Sequence, residues 1–132
     1  MRNANDEVRR YWWNRSWESL EAAKRDFQAE AYSFAINRLY YAAFYAVSAL
    51  LVKEHYPFSK HSGVRAAFHK HFVKTERIED EWGKLYDRLF EDRHEGDYVE
   101  FVTFDKAYVQ DQIRQTELFL NRLKSLVENM SL

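Results

Sequence analysis

Ser33-Phe34-Ala35-Ile36-Asn37-Arg38-Leu39-Tyr40-Tyr41-Ala42-Ala43-Phe44-Tyr45 decides how this chain folds. Small and aromatic residues alternate there, and apolar side chains fall on almost every side of a helix drawn through it. A helix that is hydrophobic all round belongs at the centre of its fold. Arg38 is the exception inside the run. A buried cation needs a partner or a cleft, because an unpaired buried charge is costly. The segment therefore predicts a central helix and poses a question about Arg38.

The rest of the chain fits helices around that centre. It has 132 residues, of which 46% are hydrophobic, which suits one domain with a real core spanning residues 1–132. Three glycines and one proline are too few for the many tight turns of an all-β domain. Val8, Trp12, Leu20, Ala23 and Phe27 recur at helical steps and predict a first helix over residues 5–29. The central helix is expected over residues 31–55, stopped by Tyr56-Pro57, since the residue before proline is pushed out of the helical region. Ser62 suits an N-cap for a third helix to about residue 74, with Val64, Phe68 and Phe72 facing inward. Trp82, Leu85 and Leu89 mark a fourth helix over residues 78–95, with Gly96 as its stop and an extended link to Phe104. Val109, Ile113, Leu120, Leu123 and Val127 mark a fifth, over residues 105–129. The fold class expected is all-α, an antiparallel up-and-down bundle of four to five helices.

Several chemistries are excluded. There is no cysteine, so disulfides, thiolate metal sites and cysteine nucleophiles are out. With glycine only at positions 63, 83 and 96, neither a phosphate-binding loop nor a Gly-x-Ser-x-Gly elbow can be built. Glu91 and His94 alone have the Glu-x-x-His spacing of a di-metal bundle, which needs two such pairs. His69 and His71 stand two apart, on different helix faces, a poor metal pair. No metal and no cofactor is expected. The N-terminal residues show no apolar leader, and the apolar run 39–52 is short for a membrane span, so a soluble cytoplasmic protein is expected.

Net charge is −1, but it is unevenly spread. Residues 60–77 carry five Lys or Arg against Glu76 alone, while residues 78–100 carry nine acids against three cations. Such neighbours are either complementary helix faces or an anion-binding face beside an acidic one. Arg65, His69 and Lys70 stand on the basic segment. The end of the fourth helix gathers Arg88, Arg93, His94, Asp97 and Tyr98 beside the expected break. Arg can hold a phosphate and stabilise developing charge, and His can move a proton. Arg88 and His94 are about 9 Å apart along an unbroken helix and not on one face, so spacing alone favours an ordinary helix end with well-placed cations over a site.

Two patches resemble one family. Ala35-Ile-Asn-Arg38-Leu-Tyr40-Tyr41-Ala-Ala-Phe44-Tyr45 is similar to the second-helix signature of short bacterial and archaeal HEPN-domain proteins. His61-Ser62-Gly63-Val64, His71-Phe-Val-Lys74-Thr and Leu89-Phe-Glu-Asp-Arg93-His-Glu-Gly-Asp97-Tyr98 continue the match in order. The resemblance implies a helical bundle that works as a homodimer. It also implies a minimal nucleotidyltransferase antitoxin as partner and a toxin that cleaves RNA, without metal, at a composite dimer cleft. Ribonuclease members carry an Arg and then a His with four to six residues between them. Here Arg93 matches the Arg, Asp97-Tyr98 stands where the His belongs, and Arg88 with His94 fits the spacing in another register. On this resemblance Arg93, His94, Asp97, Tyr98 and Arg88 are the catalytic candidates, with His94, His69 and Tyr98 as sources of a proton. Arg38, Arg65, His69 and Lys70 are candidates for binding RNA or a nucleotide. Tyr98 also resembles an acceptor of AMP from the partner enzyme. The alternative is a non-catalytic HEPN module that binds a nucleotide or the nucleotidyltransferase. A third reading is a structural dimer joined through Trp12, Trp13 and Trp17, with Arg38 paired to Asp92 or Glu91 of the fourth helix.

Overall fold

The computed structural model describes residues 4–57, 61–98 and 103–128, apart from the side chains of 95–98. Among them are five helices: α1 (Ala4–Gln28), α2 (Tyr32–Lys53), α3 (His61–Phe68), α4 (Asp80–Tyr98) and α5 (Lys106–Glu128). No strand occurs among the described residues. The chain is the all-α helical bundle that its periodicity predicts.

α2 sits in the middle and packs against α1, α3, α4 and α5. Its small residues make this possible. Ala35, Ala42, Ala43, Ala46 and Ala49 are fully buried and let neighbouring helices approach closely, while Leu39, Tyr40, Val47, Leu50 and Leu51 fill the space between them. Leu20 of α1, Phe68 and Phe72 of the α3 segment, Leu85 and Leu89 of α4, and Phe119 and Leu123 of α5 close the core. α2 is also long and apolar enough to cross a membrane, yet 67% of its most apolar window is buried inside the bundle, as a core helix would be.

Backbone closures join the elements. After α1, the Glu30 N–H bonds Phe27 O and the Ala31 N–H bonds Asp26 O, with Glu30 at φ 61°, so α2 turns straight back along α1. α2 ends just before Tyr56-Pro57, where His55 takes the left-handed conformation at φ 62°.

Four expectations change. α3 begins at His61 and widens out of α-geometry at its end, since His69–Val73 form a π-helical turn that adds a residue to the ring and re-aims the side chains around it. α4 does not stop at Gly96 but runs on to Tyr98, so Asp97 and Tyr98 belong to its last turn and not to a link. A glycine inside a helix costs only about 1 kcal/mol relative to alanine, too little to end one by itself. Val8 of α1 is 44% exposed and lies outside the core. Arg38 points away from α4: its Nε is 3.9 Å from Asp26 of α1 and its side chain is 55% exposed. A central helix with four neighbours still leaves one strip open, and Arg38 lies on it.

Candidate functional site

Three helices bring their polar and aromatic residues to one place. α2 supplies Tyr40, Tyr41 and Phe44, α3 and the π-helical turn that follows it supply His61, Arg65 and His69, and α4 supplies Asp87, Phe90 and Arg93. The rings form the floor. Tyr40 meets Phe90 edge-on at 5.8 Å between centroids and Tyr86 at 6.2 Å, and His61 stacks on Phe44 at 4.3 Å.

The cations lie on that floor. The Arg93 guanidinium carbon is 4.7 Å from the Tyr40 ring centre and 5.9 Å from that of Tyr41. Arg65 covers Phe90 at 4.0 Å. Aromatic faces hold a guanidinium flat without neutralising it. No carboxylate pairs with Arg93 among the described residues, and its buried Nε has no acceptor. Arg93 thus keeps its charge for a ligand.

His61 and Tyr40 form the polar centre. The Tyr40 hydroxyl and His61 Nδ1 are 2.7 Å apart. Burial pushes the Tyr40 hydroxyl up to about 12, against the opposing pull of Arg93, so it stays protonated. Burial, and then the Arg93 charge, push the His61 imidazole below its ordinary value. At neutral pH it is an uncharged ring able to take up a proton.

A second arrangement adjoins the first. His69 Nε2 and Asp87 Oδ1 are 2.8 Å apart, with Arg65 Nη1 3.7 Å from the same oxygen. Ser62, Arg65, Ala66, His69 and Asp87 line an open cleft of about 400 Å³ between α3 and α4. The π-helical turn starts at His69, and Gly83 of α4 makes room for it: a Cβ on Gly83 would stand 2.9 Å from His69 Cε1. The basic segment and the acidic one therefore meet partly as complementary faces, through Asp87.

With this geometry in view, the comparisons with known proteins decide the family. The family model described as the HEPN domain matches residues 9–126. The chain belongs to the HEPN-domain family. A Thermotoga maritima relative named "UPF0332 protein" is 46% identical, the alignment covering 97% of each chain. Two Methanocaldococcus jannaschii proteins, both carried under the name of candidate toxins, are 34% and 32% identical. The first match covers 81% of this chain and 73% of the relative, the second 86% and 84%.

On this HEPN domain the candidates from the sequence separate into groups. Arg93, Arg65 and His69 come together on the α2–α3–α4 face. Arg88 points to α5 instead, donating through Nε to Gln112 at 3.3 Å and through Nη2 to Gln115 at 3.0 Å. His94 is exposed on α4, one residue round from Arg93. Asp97 and Tyr98 occupy the last turn of α4, and their side chains lie outside the described residues. Lys70 is exposed, and Arg38 sits apart beside Asp26. Among the described residues no three His, Asp or Glu gather to hold a metal.

The pair that sequence reasoning passed over is Tyr40 with His61. Both stand in the motifs that carry the family resemblance, yet 21 positions separate them. The one local signal was a histidine opening a helix directly after the Tyr56-Pro57 loop.

Proposed function

We propose that this HEPN domain is a toxin-type, metal-independent endoribonuclease whose phosphate contact is Arg93. The observation that supports it most is the guanidinium held on Tyr40 and Tyr41, with no carboxylate paired to it among the described residues, beside a neutral His61. In the tautomer whose Nδ1–H donates to the Tyr40 oxygen, His61 Nε2 is a free acceptor. It would take the proton of a ribose 2′-hydroxyl as that oxygen attacks phosphorus. Arg93 would stabilise the charge gathering on the phosphoryl oxygens. The P–O5′ bond breaks, a protonated group returns a proton to the 5′-oxygen, and the products are a 2′,3′-cyclic phosphate and a 5′-hydroxyl. His94, His69 and Tyr98 are the candidates for that acid. As in the two relatives named as toxins, the activity would be harmful to the cell. A homodimer would join two such sites, and a minimal nucleotidyltransferase would restrain them.

The test is cleavage of a single-stranded RNA in EDTA by the wild type, Arg93→Ala and His61→Ala. Cyclic-phosphate ends from the wild type and loss of product in both variants are expected. Intact RNA with the wild type would overturn the reading.

One observation favours a second reading. Asp97 and Tyr98 stand where a ribonuclease motif would carry histidine. A non-catalytic module that binds a nucleotide, or the nucleotidyltransferase itself, would need Arg93 but no proton carrier. Calorimetry showing nucleotide binding, together with intact RNA, would select it.

A further inference from the structure

The aromatic floor does not end at Arg93. Tyr41 lies 5.6 Å from Tyr45, one turn further along α2. Tyr45 stacks on Trp12 of α1 at 5.4 Å and 20°, and Tyr11 meets Trp12 edge-on at 5.0 Å. Over these rings lies a second guanidinium: Arg15 is 5.2 Å from the Tyr45 centre and 5.8 Å from that of Tyr11, and it donates to both hydroxyls, at 3.4 and 3.3 Å. Rings and cations thus run from Arg93 across Tyr41 and Tyr45 to Arg15.

This strip is not core. Tyr11 is 52% exposed, and Tyr41, Tyr45 and Trp12 are half-buried. An exposed, contiguous aromatic patch calls for an occupant. Its charge indicates which. No carboxylate forms an ion pair with Arg15 or Arg93 among the described residues; Glu18 acts on Arg15 only from a distance, and Asp26 is engaged by Arg38 further along α2. A second copy laid along the whole strip, beyond the Arg93 end that a homodimer would share, would set cation against cation. A single-stranded nucleic acid supplies what the strip lacks, since its bases stack on aromatic faces and its phosphates meet guanidinium groups.

From this geometry we infer that Tyr41, Tyr45, Trp12, Tyr11 and Arg15 form a track on which two or three nucleotides flanking the phosphate at Arg93 stack. The inference rests on the reading of Arg93 as a phosphate contact and extends it to a substrate class, single-stranded RNA longer than a dinucleotide.

Binding of a dinucleotide and of an eight-nucleotide RNA, both 2′-O-methylated to prevent cleavage, tests it by fluorescence anisotropy, with tryptophan emission as a second readout. The octamer is expected to bind the wild type at least about tenfold more tightly than the dinucleotide. Arg15→Gln and Tyr11→Ala alter exposed side chains. Each is expected to weaken octamer binding about tenfold, to leave dinucleotide binding unchanged, and in Arg15→Gln to lower the salt slope by about one. Equal octamer affinity in wild type and both variants overturns the track while leaving Arg93 as the phosphate contact, provided Arg93→Ala still abolishes dinucleotide binding. If the variants change only the mass seen by light scattering, the strip is a contact between copies, and the track falls. If the wild type binds neither RNA, the functional reading fails and the track with it.

Discussion

Arg93 of α4 lies with its guanidinium carbon 4.7 Å from the ring centre of Tyr40 on α2. The contact joins the helix that determines the architecture to the residue proposed as the phosphate contact. Tyr40 is fully buried, so its ring cannot move away, and Phe90 and Tyr86 brace it from two sides. The cation is positioned by packing, and among the described residues its buried Nε has no acceptor.

Arg93→Ala is accordingly expected to separate activity from stability. Losing a transition-state donor of this kind costs about 10²–10³ in rate, whereas a partly exposed cation–π contact contributes only about 0.5–1 kcal/mol. Single-turnover cleavage should fall by that factor while thermal unfolding moves by a few degrees at most. Arg93→Lys keeps the charge but not the flat stacking surface, and should recover only part of the rate. A variant that fails to fold would make Arg93 a structural residue.

His61 predicts a pH dependence. Its folded-state pKa lies below the unfolded one, because burial and the Arg93 charge disfavour the imidazolium. The neutral ring's contribution to stability is therefore fully present above the unfolded-state pKa of about 6.5 and is lost as pH falls through the lower folded value. Wild type should lose stability to urea from about pH 7 to about pH 5 more steeply than His61→Gln. In Arg93→Ala the NMR midpoint of His61 should move up. An unshifted midpoint would place His61 outside the influence of Arg93.

Tyr40→Phe isolates the hydroxyl from the ring. The 2.7 Å bond to His61 Nδ1 is lost, at a cost of about 1 kcal/mol, while the face beneath Arg93 remains. Cleavage should fall further than that loss of stability explains, because the imidazole loses its tautomer and orientation. Tyr40→Ala removes a fully buried ring as well and should cost about 3–5 kcal/mol. Equal cleavage by Tyr40→Phe and wild type would exclude any role of the hydroxyl in the chemistry.

The sequence made the frame legible because its strongest signal, the apolar run on α2, is local and periodic. The inward positions of α3 and the turn after it also read correctly, since Val64, Phe68 and Phe72 are all buried. Three features were hidden for physical reasons. No residue pattern announces that a helix will widen into a π turn at His69. Gly96 reads as a stop by propensity, but propensity is a weak force beside tertiary packing. Which strip of an all-apolar helix stays open depends on where its neighbours dock, so Arg38 looked buried and is not. The site was half legible. Arg93 stands out by its motif, whereas Tyr40 with His61 is a contact made only by the packing of α3 on α2.

Gly83 gives the last test, through its coupling to His69. Replacing a mid-helix glycine by alanine ordinarily gains about 1 kcal/mol. Here the new Cβ would stand 2.9 Å from His69 Cε1 and 3.2–3.3 Å from the methyl groups of Val73. The imidazole would have to shift and give up its 2.8 Å bond to Asp87, leaving Arg65 as the remaining partner of that carboxylate oxygen beside the cleft. Gly83→Ala should therefore destabilise the wild type by about 1 kcal/mol, mostly through His69. In a His69→Ala background that closest contact is gone and only a small adjustment of Val73 remains. A double-mutant cycle in urea should give a coupling of about 1 kcal/mol or more, well above the 0.3–0.5 kcal/mol scatter expected of independent sites. Additive behaviour would mean that the glycine serves the α3–α4 packing as a whole and not the placement of His69.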